Sequence, residues 1–332
     1  MDAMAGKQSF EADQLPQIIV FGPPTFYKSH DKEFSSKFRV LKPWQSQLPL
    51  PEFLTAQAKN IRAALCSGVF KLTASILRHL PSLELVVSGS VGLNHIDLLE
   101  CRRRGIAVAT ASTLYSGDVA ELAVGLLLDV LRKISAGNRF VRNGLWLKQG
   151  DYYPLGSKLE GKQVGIVGLG SIGQEVAKRL EPFGCTISYH SRNRKLSVSY
   201  KFQPNIHQLA TTSDILIICC ALNEETRHMI NRDVLLALGN EGVIVNVARG
   251  AIIDERELVW CLEKGEIAGA GLDVFENEPY VPQELRVLDN VVLSPHVAVL
   301  TVEASRDFYE LASGNLEAFF SNQPLLSLVP NE

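Results

Sequence analysis

The sequence predicts an α/β protein built from two doubly wound parallel sheets, each in a domain of its own. The length of 332 residues exceeds what one hydrophobic core usually organises. Short β-branched runs alternate with longer amphipathic runs almost from end to end, which is typical of parallel strands covered by helices. This alternation falls into two successive series separated by a long helical stretch, so we expect one sheet per series.

The first series contains predicted strands with helical patterns between them. These strands are Ile18–Phe21, Ala63–Cys66, Leu83–Ser88 and Ala107–Thr110. After them, residues Val119 to Arg142 carry leucine and valine at helical spacing and are predicted to form one connecting helix. The segment from Gly144 to Gly161 shows no periodicity and is predicted to be a loop or an arm that faces a partner.

The second series again alternates strands and helices. Its predicted strands are Gln163–Val167, Thr186–His190, Ile215–Cys219, Val243–Val247, Ala270–Val274 and Val291–Leu293. A last helix, Thr301 to Phe320, follows, and in paired domains of this kind such a helix often returns to the first domain. We therefore predict a discontinuous first domain, residues 1–115 with 301–332, and a second domain of residues 116–300.

Composition and charge limit the classes of partner. Apolar residues make up 46% and charged residues 21% of the chain, as in ordinary soluble proteins. The net charge of −3 gives no general attraction to nucleic acid or to anionic membranes, so we expect neither as a partner. The basic run Arg102–Arg104 precedes Gly105 and is predicted to end a helix.

Cysteine usage and the chain ends bear on location. The six cysteines are scattered, with neither a metal-binding spacing nor the density of a disulfide scaffold, so we expect free buried thiols and no metal site. Residues 1–14 lack the character of a signal or transit peptide, and Pro330–Glu332 is not a peroxisomal address. No apolar run reaches the length of a membrane helix. The sequence thus predicts a cytoplasmic protein.

A glycine-rich turn lies between a predicted strand, Val164–Val167, and a predicted helix, Glu175–Leu180. Its residues are Gly168, Leu169, Gly170, Ser171, Ile172 and Gly173. In this context the first glycine permits the tight turn, the second lets a pyrophosphate approach the backbone, and the third lets helix and strand pack closely. The pattern predicts a Rossmann-like dinucleotide site, and a mere glycine-rich turn is the alternative.

The end of the next strand indicates which nicotinamide cofactor is bound. A cofactor without a 2′-phosphate is usually held by an acidic residue about 20 residues past the glycines. None lies between Glu181 and Asp214 in this chain. The segment offers Ser191, Arg192 and Asn193 instead, and a guanidinium and a hydroxyl can bind a phosphate. We predict NADPH in preference to NADH, the alternative being a solvated basic loop.

Three polar residues follow apolar strands of the second series, where open α/β sheets place their ligands. They are Arg249, Glu278 and His296. Each has a structural alternative when taken alone. Arg249 could cap a turn, Glu278 could lie in a surface loop, and His296 could be a structural histidine. Their occurrence together with the glycine turn favours a catalytic site.

These segments resemble the D-isomer-specific 2-hydroxyacid dehydrogenase family, and most closely its reductases of glyoxylate, hydroxypyruvate and hydroxyphenylpyruvate. The resemblance covers nearly the whole chain. The motifs that carry it are Val91–Asp97, Asp118–Glu121, Gly168–Gly173, Asn246–Gly250, Leu272–Pro279 and Ser294–His296. It implies a substrate-binding first domain, a dinucleotide-binding second domain, and NADPH-dependent reduction of a small 2-oxo acid to the 2-hydroxy acid.

The resemblance also implies roles for the polar residues. Arg249 would bind the substrate carboxylate and polarise the carbonyl, and His296 would donate the proton. Glu278 would orient the imidazole and favour its charged form. Backbone N–H groups of Val91 and Gly92 would hold the other side of the carboxylate.

Further cofactor contacts follow from the same resemblance. They are assigned to Leu222 beside the adenine or ribose, to Asn246 and Asp273 on the nicotinamide side, and to Val247, Ala248, His296 and Ala298. One departure from the family is visible, because a small Gly- or Ser-containing turn usually follows the histidine. Here the bulkier Val299 and Leu300 follow Ala298. His95 lies within a family motif, and we interpret it as structural.

Several functional alternatives stay open at this point. Glyoxylate and hydroxypyruvate are the favoured substrates, hydroxyphenylpyruvate is second, and Ser67–Val69 with Leu114 are expected to set the pocket size. A nucleotide-sensing corepressor is an alternative of another class. A phosphoglycerate dehydrogenase is less favoured, because the chain ends soon after His296. A homodimer is expected through the Val119–Arg142 helix and the arm after it, with Trp146 reaching the neighbouring active site.

Overall fold

The computed structural model describes residues 15–22, 25–150 and 153–330. The chain divides into two compact units, one of residues 1–115 with 300–332 and one of residues 116–299. The predictions about targeting concern residues 1–14 and 331–332, which lie outside the described residues, as do residues 151–152 of the predicted arm. Both units are α/β with a parallel sheet, so the predicted fold class is confirmed.

The described strands and helices alternate along the chain. The strands are β1 (Gln17–Phe21), β2 (Arg39–Leu41), β3 (Ala63–Cys66), β4 (Leu85–Ser88), β5 (Ala107–Ala109), β6 (Gln163–Val167), β7 (Thr186–His190), β8 (Lys201–Phe202), β9 (Ile215–Ile218), β10 (Val243–Asn246), β11 (Gly269–Leu272) and β12 (Val291–Leu293). The helices are α1 (Thr25–Ser29), α2 (Asp31–Lys37), α3 (Leu50–Gln57), α4 (Ala74–Arg78), α5 (Leu98–Arg104), α6 (Ser116–Arg132), α7 (Ile134–Arg142), α8 (Leu145–Gln149), α9 (Ser171–Leu180), α10 (Ile206–Thr211), α11 (Arg232–Leu238), α12 (Glu255–Lys264), α13 (Gln283–Val287) and α14 (Val302–Phe320).

The first unit is built on a parallel sheet with the strand order β2-β1-β3-β4-β5. Strands β3 and β4 are buried along their whole length, as expected of parallel strands covered on both faces. Helix α14 belongs to this unit, where Phe308 is buried and stacks on Tyr115. The chain then runs antiparallel beside β5, and the amide of Val329 donates to the carbonyl of Val108 over 2.8 Å.

The second unit is built on a parallel sheet with the order β12-β11-β10-β9-β6-β7-β8. The order reverses between β6 and β9, and in open α/β sheets ligands bind beyond the carboxyl ends of the strands at such a point. Strands β9, β10 and β11 are fully buried. The residues that follow these strands are therefore held at one edge of a rigid sheet.

The observed elements differ from the predicted ones in a few places. The short edge strands β2 and β8 were not predicted, because two or three residues carry too little pattern. The predicted connecting helix is interrupted at Lys133, whose φ of 54° is left-handed. There the carboxylate of Asp129 accepts bonds from the amide and hydroxyl of Ser135, which starts α7 as a separate helix. Helix α8 forms within the predicted loop.

The predicted helix end at Arg104 is confirmed, and the prediction of buried free thiols holds for Cys66, Cys101 and Cys261, whereas Cys185, Cys219 and Cys220 are only half-buried. Helix α5 ends at Arg104, and Gly105 follows with a left-handed φ of 69°. The guanidinium of Arg104 donates to the carbonyls of Leu77 and Leu80, so this arginine has a structural role. The cysteines are free, and burial raises the pKa of the Cys66 thiol to about 12, which keeps it protonated and unreactive.

The described residues contain neither a cluster suited to a metal ion nor a helix suited to a membrane. No group of three or more histidine, cysteine, aspartate or glutamate side chains in this part of the chain is arranged to hold a metal ion. None of its helices combines the length and the apolar character that crossing a membrane requires.

Candidate active site

The glycine turn joins β6 to α9, and each glycine meets a different steric demand. Gly168 has a φ of 94°, and a Cβ atom there would lie 2.7 Å from the backbone of Cys220. A Cβ atom at Gly173 would lie 2.2 Å from the carbonyl oxygen of Gly168, so helix and strand need this glycine to pack. At Gly170 no atom lies within 4 Å of that position. The turn is therefore closed on the protein side and open where a pyrophosphate would approach.

Helix α9 begins next to this open position. Gly170 is its N-cap residue and has no side chain to satisfy the first amides of the helix. The free N–H groups and the helix dipole favour an anion at this end. The turn thus has the features of a dinucleotide-phosphate site, and the residues present fit that group.

The loop after β7 is shaped by a buried tyrosine. The Tyr189 hydroxyl accepts a hydrogen bond of 2.8 Å from the amide of Lys195, and the Ser191 hydroxyl donates to the carbonyl of Asn193 over 2.7 Å. Arg192 is exposed in this loop. Asp214 lies at the opposite edge of the sheet, where it accepts a bond of 2.7 Å from the amide of Gln163 at the start of β6. Asp214 therefore cannot act as the acidic residue that binds a ribose hydroxyl beyond the end of β7.

Arg249 is carried on a turn that a buried asparagine folds. The Asn246 side chain is fully buried, accepts a bond of 3.0 Å from the amide of Ala248, and donates one of 3.0 Å to the carbonyl of Arg249. The Arg249 guanidinium donates to the carbonyl of Ala248 over 2.7 Å. Burial lowers the pKa of Arg249, while the nearby charge of Glu278 acts in the opposite direction. The turn thus presents a partly desolvated cation close to a carboxylate.

Gly250 lets the turns after β10 and β11 touch. A Cβ atom on Gly250 would lie 1.9 Å from the carbonyl carbon of Phe275. No larger residue fits without moving the backbone. This contact brings the turn of Arg249 directly against the turn that leads to Glu278.

Glu278 and His296 form a hydrogen-bonded pair. Glu278 Oε2 lies 2.7 Å from His296 Nδ1, and Oε1 accepts a bond of 3.0 Å from the amide of Phe275. Burial alone would raise the pKa of Glu278, but the bonds from His296 and Phe275 and the charge of Arg249 outweigh it, so the pKa is lowered. An ionised carboxylate can only accept, so Nδ1 carries the proton and Nε2 is the ring atom left for a ligand. The His296 side chain is 38% exposed and can be reached.

Asp273 folds the loop that carries His296. It is fully buried, and its carboxylate accepts bonds from the Ser294 hydroxyl (2.6 Å), the Val297 amide (2.9 Å) and the Ala298 amide (3.1 Å). Its carbonyl also accepts a bond of 2.8 Å from the amide of His296, whose φ of 54° is left-handed. The family resemblance had placed Asp273 and Asn246 on the nicotinamide side, and a positioning role for both was not predicted. Their cofactor contacts stay a prediction.

The other predicted cofactor residues follow the same group of strands. Leu222 is half-buried after β9 and packs on the core of this unit. Val247 and Ala248 are buried after β10, and Ala298 is buried after β12. Like the glycine turn, they follow the carboxyl ends of the strands, and their cofactor contacts stay a prediction.

In the first unit the predicted substrate residues lie in loops after β3 and β4. Val91 is exposed and Gly92 is half-buried. A Cβ atom at Gly68, in the loop Ser67–Val69, would lie 2.8 Å from Cβ of Ser90, so the two loops touch. His95 is buried, with Nε2 at 3.2 Å from the Ser88 hydroxyl, as its structural interpretation requires. Leu114, the other predicted pocket residue, is half-buried between β5 and α6.

The fold and the site define a class of protein. It is a dinucleotide-binding α/β protein with an arginine, a glutamate and a histidine beyond the carboxyl ends of the strands. The sequence model described as "D-isomer specific 2-hydroxyacid dehydrogenase, NAD binding domain" matches residues 124–298. The chain belongs to the D-isomer specific 2-hydroxyacid dehydrogenase family, and the resemblance seen in its motifs is confirmed.

Similar proteins include two plant enzymes and a bacterial one. A glyoxylate/hydroxypyruvate reductase of Arabidopsis thaliana is 52% identical, over 96% of this chain and 98% of its own length. A hydroxyphenylpyruvate reductase of Plectranthus scutellarioides is 46% identical, over 94% of this chain and 98% of its own. An NADPH-dependent glyoxylate/hydroxypyruvate reductase of Sinorhizobium meliloti, solved with NADP and malonate, is 36% identical with a TM-score of 0.87, over 95% of this chain and 96% of its own.

Proposed function

We propose that the protein reduces small 2-oxo acids, glyoxylate and hydroxypyruvate in the first place, to the 2-hydroxy acids with NADPH. The observation that carries this proposal is the His296–Glu278 pair at 2.7 Å, beside the turn of Arg249 at the edge of a dinucleotide-binding sheet. An imidazole held in one tautomer next to a guanidinium suits a planar acid that must be bound and protonated. The two plant relatives, a glyoxylate/hydroxypyruvate reductase and a hydroxyphenylpyruvate reductase, support the substrate class.

Arg249 binds the substrate carboxylate through its planar guanidinium, for which a partly desolvated charge is favourable. His296 gives the proton on Nε2 to the carbonyl oxygen, because Nδ1 is bonded to Glu278. Glu278 stabilises the imidazolium before transfer and holds the ring afterwards. A reduced nicotinamide, when bound, supplies the hydride. Val91 and Gly92 as carboxylate-binding amides stay a prediction.

The second unit is the dinucleotide-binding domain in this proposal, and the first unit is the substrate-binding domain. The turn Gly168–Gly173 would hold the pyrophosphate, and Ser191, Arg192 and Asn193 would hold a 2′-phosphate. The preference for NADPH rests on the exposed Arg192 and on the lack of any acidic residue between Glu181 and Asp214. The NADPH-dependent enzyme of Sinorhizobium meliloti, which is 36% identical, supports this preference.

A homodimer is proposed through α7 and α8. Helix α7 has no buried residue, and Ile134, Val141, Trp146 and Leu147 are exposed in this region. Exposed apolar side chains grouped on neighbouring helices are expected to be covered by another protein surface. Multi-angle light scattering tests this, because a monomer mass at micromolar concentration would exclude it.

The cytoplasmic location stays a prediction that microscopy of the tagged protein would test.

A spectrophotometric panel tests the activity. NADPH oxidation is followed with glyoxylate, hydroxypyruvate and hydroxyphenylpyruvate, each repeated with NADH. We expect the highest kcat/KM with NADPH and one of the first two acids. A preference for hydroxyphenylpyruvate would select the second candidate substrate. No turnover of any of them would refute the reductase and favour the corepressor alternative.

A further inference from the structure

His228 lies outside every motif used so far, in the segment between β9 and α11. Its backbone φ is 50°, a left-handed conformation that residues other than glycine rarely adopt. Such strain persists where the surroundings hold a residue firmly, and it often lies near functional sites. The contacts of His228 show what holds it.

The imidazole of His228 contacts the turn that leads to Glu278. His228 Nε2 lies 2.7 Å from Glu276 Oε1, and Arg227 Nη1 lies 3.6 Å from the same oxygen. Glu276 immediately follows Phe275, whose amide donates to Glu278. The His228–Glu276 bond therefore fixes the backbone from which the Glu278 carboxylate is held.

The backbone of His228 contacts the other catalytic turn. Its amide donates to the carbonyl of Ala251 over 2.9 Å, and the next contact in register, from Ile230 to Ile252, is 3.1 Å long. Ala251 lies two residues after Arg249. One residue thus connects to the Arg249 turn through its main chain and to the Glu278 turn through its ring.

Other charged groups complete the cluster around Glu276. Glu255, at the start of α12, accepts a bond of 3.1 Å from the amide of Glu276, and burial, as the largest influence, raises the pKa of Glu255. Asp254 Oδ2 lies 3.9 Å from His228 Nδ1. The imidazole is therefore flanked by carboxylates on both ring nitrogens, and Glu276 is held at its amide and at its side chain.

We propose that His228, through Glu276, is a positioning residue for the reaction: it fastens the Arg249 turn to the Glu278 turn and so sets the guanidinium against the Glu278–His296 pair. The inference rests on the proposed function. It adds a residue that touches neither substrate nor cofactor, but whose loss displaces the groups that do.

The test compares His228→Ala and Glu276→Ala with a matched control, Arg232→Ala. Arg232 begins α11 in the same region and pairs with Glu257 of α12, away from both turns. A displacement of catalytic groups by about 1 Å lowers rates up to about 100-fold. We expect kcat of both test variants to fall by about 10- to 100-fold, with an unchanged Kd for NADPH. The control should keep the kcat of the wild-type enzyme.

A second comparison separates positioning from loss of stability. His228→Ala is combined with His296→Gln, and His228→Gln restores a donor near Glu276. Positioning predicts that His228→Ala costs less kcat in the His296→Gln background than in the wild type, because only the placement of Arg249 is then left to lose, and that His228→Gln recovers part of the rate. Normal kcat in His228→Ala, or a full additional loss in the double variant, would overturn the inference. An inactive wild-type enzyme would instead overturn the proposed function, and this inference with it.

Discussion

Replacing Asp273 with asparagine tests how the His296 loop is held. The two carboxylate oxygens of Asp273 accept three hydrogen bonds, and the side chain has no exposed surface. An amide has only one acceptor oxygen, so its NH₂ group must face at least one of the three donors. If the amide oxygen keeps Ser294 and Val297, the NH₂ group faces the amide of Ala298.

Two N–H groups that face each other cannot form a hydrogen bond, and this sets the loss of stability. Losing a hydrogen bond to a charged acceptor costs about 1.5–3 kcal/mol, and leaving a buried donor unpaired costs about 1–3 kcal/mol more. We therefore expect Asp273→Asn to lower the free energy of unfolding by about 2.5–6 kcal/mol. That is a large part of the roughly 5–15 kcal/mol by which proteins are stable. Because the bonds position His296, kcat should fall as well.

Urea denaturation followed by circular dichroism measures the loss, and initial rates measure kcat. The matched control is Asp214→Asn, where a carboxylate at the exposed edge of the same sheet accepts one backbone bond. We expect the control to lose about 1 kcal/mol. An Asp273→Asn variant that unfolds at the urea concentration of the wild type, with normal kcat, would refute the reasoning.

Three further predictions concern the proposed chemistry. His296→Gln should lower kcat by about 10²–10⁴-fold, the usual contribution of a general acid, while fluorescence titration shows intact NADPH affinity. Arg192→Asp, with Arg194 neutralised, should raise the KM for NADPH much more than that for NADH. The Glu278 pKa is lowered in the folded state, so its contribution to stability is present above the ordinary carboxyl pKa and is lost as the pH falls through the folded value. In acid denaturation, Glu278→Gln should therefore show a weaker loss of stability with falling pH.

Each of these has a result that contradicts it. Near-normal kcat in His296→Gln would exclude the proton donor. If Arg192→Asp left the ratio of the KM for NADPH to the KM for NADH unchanged, the assignment of a 2′-phosphate site to this loop would be wrong. Lys201→Ala, which removes a positive charge at β8, is the control for a general effect of charge. If Glu278→Gln and the wild type unfolded at the same acid pH, the ionised carboxylate of Glu278 would contribute no stability through its hydrogen bonds and nearby charges.

The main features of the site could be predicted because their causes are local. The demands on Gly168, Gly170 and Gly173 follow from the strand and helix on either side of the turn. Arg249 follows the buried strand β10 and His296 follows the outermost strand β12, and the carboxyl ends of parallel strands lie on the same side of the sheet. The position of the site predicted from the sequence therefore agrees with its position in the fold.

The supporting residues could not be predicted because their partners are distant in the sequence. A buried aspartate at position 273 gives no sign that it accepts bonds from residues 294–298. His228 and Glu276 are 48 residues apart and meet only once β10 and β11 are paired. The break at Lys133 also depends on a hydrogen bond, from the amide of Ser135 to the carboxylate of Asp129, that helical periodicity does not show.

The most direct measurement is a crystal structure of the enzyme with NADP⁺ and oxamate, a stable analogue of a 2-oxo acid. We predict that the Arg249 guanidinium binds the oxamate carboxylate and that His296 Nε2 lies within hydrogen-bond distance of the adjacent carbonyl oxygen, with Nδ1 still on Glu278. An oxamate bound without Arg249, or an imidazole turned away from that oxygen, would contradict the proposed function.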